Sequence, residues 1–242
     1  MKSINSILLI TILKLLSANC YAQTDTIITP NQGKKVHAKN LILPASLCIT
    51  GALVKETNFP LYLRDKTQNS WLRTNTSIDD YIRYLPVTEM YIADIYYRKS
   101  MGEVFQQTKN YLLARLLTSF TTSRIKDWTQ VTRPDGTERS FPSGHTSYAF
   151  CGATALFLEY KDTDRFLAYS GFVFSTATGF MRITNNRHWV SDVITGAGVG
   201  MLSTTLVWYI NPLKNWNPFK KKSITIYPTV DKYNTVGICV FF

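Results

Sequence analysis

The stretch from Lys126 to Asp192 decides how this chain folds and which chemistry it carries. Its polar residues gather in three short sequences: KDWTQVTRP at 126–134, PSGH at 142–145 and RITNNRHWVSD at 182–192. The chain has three histidines, and two of them, His145 and His188, lie in this stretch. On a helix, residues four apart share one face, so the carboxylate of Asp192 can hold one ring nitrogen of His188. The other ring nitrogen is then free to attack an electrophile or to accept a proton.

The other polar residues of this stretch favour the binding of an anion. His145 follows Pro-Ser-Gly and precedes an uncharged apolar run, which predicts that it lies at the start of a helix. Free backbone N–H groups and the helix dipole favour negative charge at such a start. Lys126, Arg133 and Arg182 add cationic side chains. Histidines, a carboxylate and cations together predict a phosphate site with a nucleophile and a general acid.

The three sequences, in this order and with this spacing, resemble the three-part signature of the type 2 phosphatidic acid phosphatase superfamily. That superfamily includes lipid phosphate phosphatases, bacterial nonspecific acid phosphatases and vanadium-dependent haloperoxidases. One departure is visible, because the family usually has serine before the arginine of the third part, where this chain has Met181. Serine there would make a minor contact, so activity is still expected.

The resemblance implies a role for each residue of the signature. His188 would attack phosphorus and form a phosphohistidine intermediate, while Asp192 orients its ring. His145 would protonate the departing alkoxide and then activate water. The phosphate would be held by cationic side chains and the start of the helix, namely Lys126, Arg133, Ser143, Gly144 and Arg182.

No metal ion or cofactor is expected. The four cysteines, Cys20, Cys48, Cys151 and Cys239, form no close pair and no cluster with the spacing of zinc ligands. They are interpreted as small buried apolar residues. We therefore expect metal-independent chemistry.

The N-terminal residues predict an exported protein. Residues 1–22 have a short basic start, an apolar core and a small residue before Gln23, as in a signal peptide. An uncleaved membrane anchor is the alternative interpretation of the same residues. Residues 23–40 are polar and turn-rich, which indicates a linker.

The remainder predicts an all-α fold, a helical bundle of about five to six helices over residues 41–215. Residues 79–97 have helical periodicity that Pro86 should kink or divide, and residues 55–78 are expected to be a loop or a short surface helix. Alternating apolar residues in 216–242 predict a small C-terminal β-hairpin. Antiparallel neighbours would bring all three parts of the signature to one end of the bundle.

Two environments remain possible for this bundle. Mean hydropathy of −0.07 is low for a membrane protein, but three long apolar runs carry no charge, and the last spans residues 193–210. Glycines 196, 198 and 200 in that run would allow close packing of helices. We expect a membrane-embedded bundle in the cell envelope, in the inner membrane with its active site facing the periplasm. A soluble periplasmic protein is the alternative.

The function that these observations favour is hydrolysis of the phosphate ester of a membrane lipid: lipid A, an isoprenyl diphosphate or a phospholipid phosphate. A soluble nonspecific acid phosphatase is the second possibility, and a haloperoxidase or a non-catalytic relative the third. The net charge of +11 suits a phosphorylated lipid and an anionic membrane, and no nucleic-acid-binding signature is present. The sequence does not indicate an oligomeric state.

Overall fold

The computed structural model describes residues 39–213 and 215–218, together with the backbone of two strands at 225–230 and 236–241. The expected signal peptide at 1–22 and most of the expected linker lie outside the described residues. The first described helix already begins at Lys39, inside the range expected for the linker.

Within the described ranges the chain forms eight helices and two strands. The helices are α1 (Lys39–Lys55), α2 (Phe59–Gln68), α3 (Asp79–Ile82), α4 (Leu85–Tyr96), α5 (Met101–Thr129), α6 (Gly144–Tyr160), α7 (Arg165–Thr184) and α8 (Val190–Ile210). The expectation of five to six helices is therefore wrong. Pro60 and Pro86 explain the difference, because each lies at the start of a helix, where proline fits, and so begins α2 and α4 as separate elements.

The long helices begin at residues whose side chains cap them. Ser100 and Glu103 form a reciprocal capping box at the start of α5. The side chains of Ser143 and Asp164 accept backbone N–H groups at the starts of α6 and α7. These caps fix the residue at which each helix begins. They therefore also fix the positions of the polar residues at the helix ends.

Helix α8 packs closely against α1 and α6. A Cβ atom on Gly200 would overlap the carbonyl oxygen of Ser147 in α6, and one on Gly198 would lie 2.7 Å from the backbone nitrogen of Cys48 in α1. The expected close packing at these glycines is confirmed. Main chain lies against main chain here, which holds the starts of α6 and α8 in a fixed relation.

The buried face of α5 is polar or small, and its large apolar residues are exposed. Its buried residues include Gln107, Asn110, Ala114, Thr118 and Thr122. Its exposed residues include Leu112, Leu116 and Phe120. Large apolar side chains of the other helices are likewise exposed, among them Ile42, Ile49, Leu53, Ile92, Ile95, Phe166, Val173 and Phe180. The bundle therefore presents apolar surface outwards on several sides.

One helix of the described residues, α8, is long and apolar enough to cross a membrane. The mean hydropathy of an 18-residue stretch of α8 reaches 1.5, and 61% of that stretch is buried inside the bundle. By length and composition, α8 is the candidate span in this part of the chain.

The residues expected to form a C-terminal hairpin contain two short strands. Strand β1 (Thr225–Val230) pairs antiparallel with β2 (Val236–Phe241), with Thr225 opposite Phe241 and Val230 opposite Val236. The expected turn at 231–234 lies outside the described residues.

The helix order places the polar sequences at one end of the bundle. Lys126 lies in the last turn of α5 and His145 in the first turn of α6. Arg182 lies in the last turn of α7, and Asp192 in the first turn of α8. Consecutive long helices run in alternating directions, so these four residues reach the same end.

Candidate active site

His188 and Asp192 are in direct contact. The Nδ1 atom of His188 lies 3.1 Å from Oδ2 of Asp192, and both side chains are almost fully buried. Helix α8 begins only at Val190, so the pair does not share a helix face as the spacing suggested. Instead, His188 lies just before the helix and Asp192 turns back toward it from the first turn. With Nδ1 engaged, Nε2 is the nitrogen left for chemistry.

Asp192 is held by two further groups. Its Oδ2 atom accepts the backbone N–H of Trp189 at 2.9 Å. The hydroxyl of Ser140 donates to the same oxygen and lies 3.4 Å from Nδ1 of His188. These bonds fix the carboxylate, and through it the orientation of the imidazole ring.

Burial keeps the His188 ring neutral. Loss of hydration lowers the pKa of His188 from 6.5 to about 4, although the hydrogen bond and charge of Asp192 act in the opposite direction. The charges of Lys126 and Arg182 lower that pKa further. A neutral imidazole has a lone pair on its free nitrogen, which a nucleophile requires.

Lys126 lies beside this pair. Its Nζ donates to the backbone carbonyls of Arg139, at 2.6 Å, and Ser140, at 2.8 Å. Burial first, and the charge of Arg133 second, lower the pKa of Lys126 from 10.5 to about 8. The nearby carboxylate of Asp192 opposes that change.

The two arginines of the signature have guanidinium atoms that the protein does not pair. The Nε atoms of Arg133 and Arg182 are buried and have no hydrogen-bond partner among the described residues. Burying a charged donor without a partner is costly, so such atoms point to a ligand that accepts from them. An anion with several oxygens, such as phosphate, fits two guanidinium groups.

A main-chain hydrogen bond joins the start of α6 to the start of α8. The N–H of Ser143 donates to the carbonyl oxygen of Asp192 at 2.9 Å. A Cβ atom on Gly144 would meet nothing within 4 Å, so the main chain faces open space there. A helix start with an open approach is suited to bind an anion.

His145 faces a carboxylate that the sequence interpretation did not include. Its Nε2 atom lies 2.6 Å from Oδ1 of Asp80 in α3. Burial lowers the pKa of His145 from 6.5 to about 4, and the charge of Arg182 adds to this, while the hydrogen bond with Asp80 opposes it. The charge of Arg182 lowers the pKa of both His145 and His188, and the backbone hydrogen bond from Ser143 to Asp192 joins the helix starts beside the two rings.

Arg182 has a buried carboxylate partner on the same short helix. Its Nη1 atom lies 2.7 Å from Oδ2 of Asp79, which is 1% exposed. The other oxygen of Asp79 accepts from the side-chain amide of Asn185 at 3.1 Å. This ion pair fixes the direction in which the guanidinium group points.

The structure therefore brings all eight residues of the signature to one end of the bundle, and it adds three that the sequence did not indicate. Ser140, Asp79 and Asp80 were missed because they belong to no motif. The pair Asp79-Asp80 at the start of an aromatic-rich stretch is the one signal that the sequence offered.

One group of side chains in this region has the spacing of metal ligands. Asp79, Asp80 and His145 each offer a ligand atom, and these atoms lie within 4.8 Å of one another. However, Asp79 is paired with the guanidinium of Arg182, and Asp80 with the ring of His145. A cation would have to displace both partners beside a fixed positive charge, so the group does not fit a metal ion well.

The part of the chain that carries this site matches a known protein family. Residues 107–216, which contain the whole stretch from Lys126 to Asp192, match the PAP2 superfamily. A lipid A 1-phosphatase of Porphyromonas gingivalis is 48% identical over 82 residues. That match covers 34% of this chain and 18% of the relative, so the chain spans less than a fifth of the relative's length.

Two crystal structures match parts of this chain. A transmembrane PAP2-type phosphatidylglycerolphosphate phosphatase of Bacillus subtilis covers 74% of this chain and 99% of its own, at a TM-score of 0.52 and 19% identity. LpxE of Aquifex aeolicus covers 62% of this chain and 95% of its own, at a TM-score of 0.49 and 22% identity.

Proposed function

We propose that this chain, whose residues 107–216 match the PAP2 superfamily, is a phosphatase that hydrolyses the phosphate ester of a membrane lipid. The observation that carries the proposal is the pair of buried, unpartnered guanidinium Nε atoms of Arg133 and Arg182. Arg182 lies close enough to the braced His188 ring for its charge to lower the pKa of that ring. Phosphate is the anion that this set of donors and nucleophile suits best.

The reaction would proceed in two displacements at phosphorus. Nε2 of His188 attacks, the N–P bond forms and the bond from phosphorus to the leaving oxygen breaks. His145 gives a proton to that oxygen, and Asp192 stabilises the positive charge on the His188 ring. Water then attacks phosphorus, gives a proton to His145 and releases phosphate as the N–P bond breaks.

Binding of the phosphate would fall to the cations and to the start of α6. Lys126, Arg133 and Arg182 would neutralise the charge on the non-bridging oxygens, and the backbone at Ser143 and Gly144 would donate N–H groups. Because these groups are already held in place by the bundle, little reorganisation is needed as charge develops. No step requires a metal ion.

The outward apolar side chains support a lipid substrate rather than a small soluble one. Leu112, Leu116 and Phe120 form an exposed apolar row on α5, the same helix that carries Lys126 in its last turn. A bundle with such a surface would lie in or against a membrane, where the headgroups of lipids reach the helix ends. Location in the cell envelope, with the site facing the periplasm, follows from the export signal expected at residues 1–22.

Among lipid phosphates, lipid A is the first substrate to test. The segment that is 48% identical to the Porphyromonas gingivalis lipid A 1-phosphatase supports that choice. The experiment is phosphate release by purified protein from lipid A, undecaprenyl diphosphate, phosphatidic acid and phosphatidylglycerophosphate. Release from none of the four would contradict the proposed function.

A variant of the nucleophile tests the mechanism. We expect His188→Ala to lose at least about 1,000-fold in kcat, because removal of a covalent nucleophile leaves only binding and electrostatic effects. The protein should still be purified folded, as measured by circular dichroism. Near-normal turnover in this variant would contradict the assignment. Exchange of Glu56, an exposed residue paired with Lys55, for glutamine is the control and should leave kcat unchanged.

A further inference from the structure

The proton donor assigned above, His145, has one ring nitrogen already occupied. Its Nε2 atom is 2.6 Å from Oδ1 of Asp80, a short distance for a bond between an imidazole and a carboxylate. The side chain of His145 is 23% exposed and that of Asp80 is 47% exposed, so the contact lies at the mouth of the site. This is the same relation that Asp192 has to His188, but formed by a residue 65 positions away in sequence.

Apart from Asp80, the surroundings of His145 favour the neutral ring, whereas a general acid must be protonated. The charged groups around it are Asp79 and Asp80 on α3, Arg83 just after α3, and Arg182 on α7. Burial, Arg182 and Arg83 all lower the pKa of His145, and the hydrogen bond and charge of Asp80 are the influences that raise it. Asp79 is already paired with Arg182. Asp80 is thus the carboxylate that favours the protonated ring, the form that a general acid must have.

The segment that carries Asp80 is fixed to the end of α7. The side-chain amide of Asn185 donates to the carbonyl of Thr76 at 2.9 Å and to Asp79 at 3.1 Å, and its oxygen accepts the N–H of Thr76 at 3.2 Å. The N–H of Thr74 donates to the carbonyl of Thr184 at 3.2 Å. Since α7 also carries Arg182, the carboxylate of Asp80 has a defined position relative to the site.

We propose that Asp80 is a positioning residue, which accepts the Nε2–H of His145, directs Nδ1 toward the leaving oxygen and stabilises the protonated ring. The inference rests on the proposed function, because it assigns Asp80 a part in that reaction. In the alternative arrangement, the carboxylate occupies the place of a substrate oxygen and competes with it. The two arrangements predict opposite effects when the carboxylate is removed.

The test uses Asp80→Asn, Asp80→Glu and Asp80→Ala in the full chain. Asparagine keeps the shape but loses the charge, so we expect kcat for lipid A, or for the member of the panel that is hydrolysed fastest, to fall about 10- to 100-fold. KM should change little, glutamate should restore part of the loss, and alanine should lose more. Thermal unfolding midpoints should stay close to the wild type, because Asp80 is half exposed.

Two measurements separate positioning from a structural role. Without the negative charge the pKa of His145 falls, so the basic limb of kcat/KM should move to lower pH in Asp80→Asn. With p-nitrophenyl phosphate, whose leaving group needs no proton, kcat/KM should fall less than about 3-fold. Glu56→Gln, a change at another exposed carboxylate, is the matched control.

Three results would overturn the inference. An equal loss on the lipid and on p-nitrophenyl phosphate would indicate a general structural effect. A lower KM or a faster reaction in Asp80→Asn would indicate the competing arrangement. An unchanged pH profile would show that the charge does not act on the acid. If the wild type is active and His188→Ala is not, these results reject the Asp80 assignment alone; an inactive wild type rejects the proposed function.

Discussion

The carboxylate of Asp79 compensates the buried positive charge of Arg182. This carboxylate is 1% exposed and pairs with Nη1 of Arg182, which is itself mostly buried. Removing one partner of a buried pair leaves the other charge without compensation. We expect Asp79→Ala to lower the free energy of unfolding by about 3–5 kcal/mol, measured by denaturant titration in detergent solution.

An exposed ion pair provides the control for that variant. Asp65 lies 3.3 Å from Arg64, and its side chain is 65% exposed. Asp65→Ala should lower the free energy of unfolding by less than about 1 kcal/mol, because water screens the pair. Equal losses in the two variants would show that burial of the Asp79 pair has no special cost.

The two histidines make stability depend on pH. Their pKa is about 4 in the folded chain, against 6.5 ordinarily. Between these values the unfolded chain binds protons that the folded chain does not, so stability falls as pH is lowered. We expect the thermal unfolding midpoint to fall as pH decreases from about 6.5 toward about 4, and less steeply in His188→Asn. A midpoint that rises over this range would contradict the burial of neutral rings.

At this scale the sequence predicted the residues of the three motifs and missed their partners. His188 and Asp192 are near in sequence, so their contact follows from local spacing. Asp79 is 103 positions from Arg182, and no local pattern indicates a contact over that separation. Ser140 is two residues from Pro142, but a single serine in a loop has no distinctive spacing. Long-range polar contacts depend on the packing of helices, which periodicity does not specify.

Small residues in helix α8 set how closely it packs against α6. A Cβ on Gly200 would overlap the carbonyl oxygen of Ser147, and backbone cannot move aside as a flexible side chain can. We expect Gly200→Ala to lower the free energy of unfolding by about 1–3 kcal/mol, and to lower kcat because the start of α8 shifts relative to α6. Denaturant titration and phosphate release measure the two effects.

Gly144 gives the matched comparison, since a Cβ there meets nothing within 4 Å. Gly144→Ala should leave stability nearly unchanged and lower activity, because the added methyl group enters the space that a phosphate would approach. If the two alanine variants were equally unstable, the close contact at Gly200 would not be the cause.

The helices were predicted well where apolar runs are long and poorly where the sequence is polar. The three uncharged apolar runs correspond to α6, α7 and α8, and the helical periodicity of residues 79–97 corresponds to α3 and α4. Helix α2 has a polar sequence, FPLYLRDKTQ, and its loop or short-helix interpretation left it out of the count. Asp94, in the helical stretch at 79–97, is buried and accepts hydrogen bonds from Gln107 and Tyr160. Periodicity identifies a face of a helix; it does not tell which neighbour covers that face.

In the described part of the chain, most fully buried side chains are small or polar, and many large apolar side chains are exposed. The fully buried hydrophobic residues are mostly alanine, while Leu112, Leu116 and Phe120 are more than half exposed. These three residues are spaced four apart along α5, so they share one face of the helix, and a soluble bundle would turn an apolar face inward. The observed orientation fits a bundle that packs through small residues with lipid around it.

A triple variant tests the role of this surface. We expect Leu112→Ser/Leu116→Ser/Phe120→Ser to reduce retention in membranes after carbonate extraction, because polar side chains are costly in contact with hydrocarbon. The positions are exposed, so internal packing should be little affected. The change of three exposed residues of α3 and its flanks, Ile78, Tyr81 and Tyr84, to serine is a control for lost apolar area near the site. Full release of the wild type by osmotic shock would contradict membrane association.

The hydrogen bond from the N–H of Ser143 to the carbonyl of Asp192 uses main-chain atoms only. Apart from proline at position 143, which has no N–H, side-chain exchange leaves both of its atoms in place. This main-chain contact therefore helps to fix the separation between His145 and His188, whatever side chains surround it. Side chains that select the substrate can therefore be exchanged while the backbone keeps the spacing that the reaction needs.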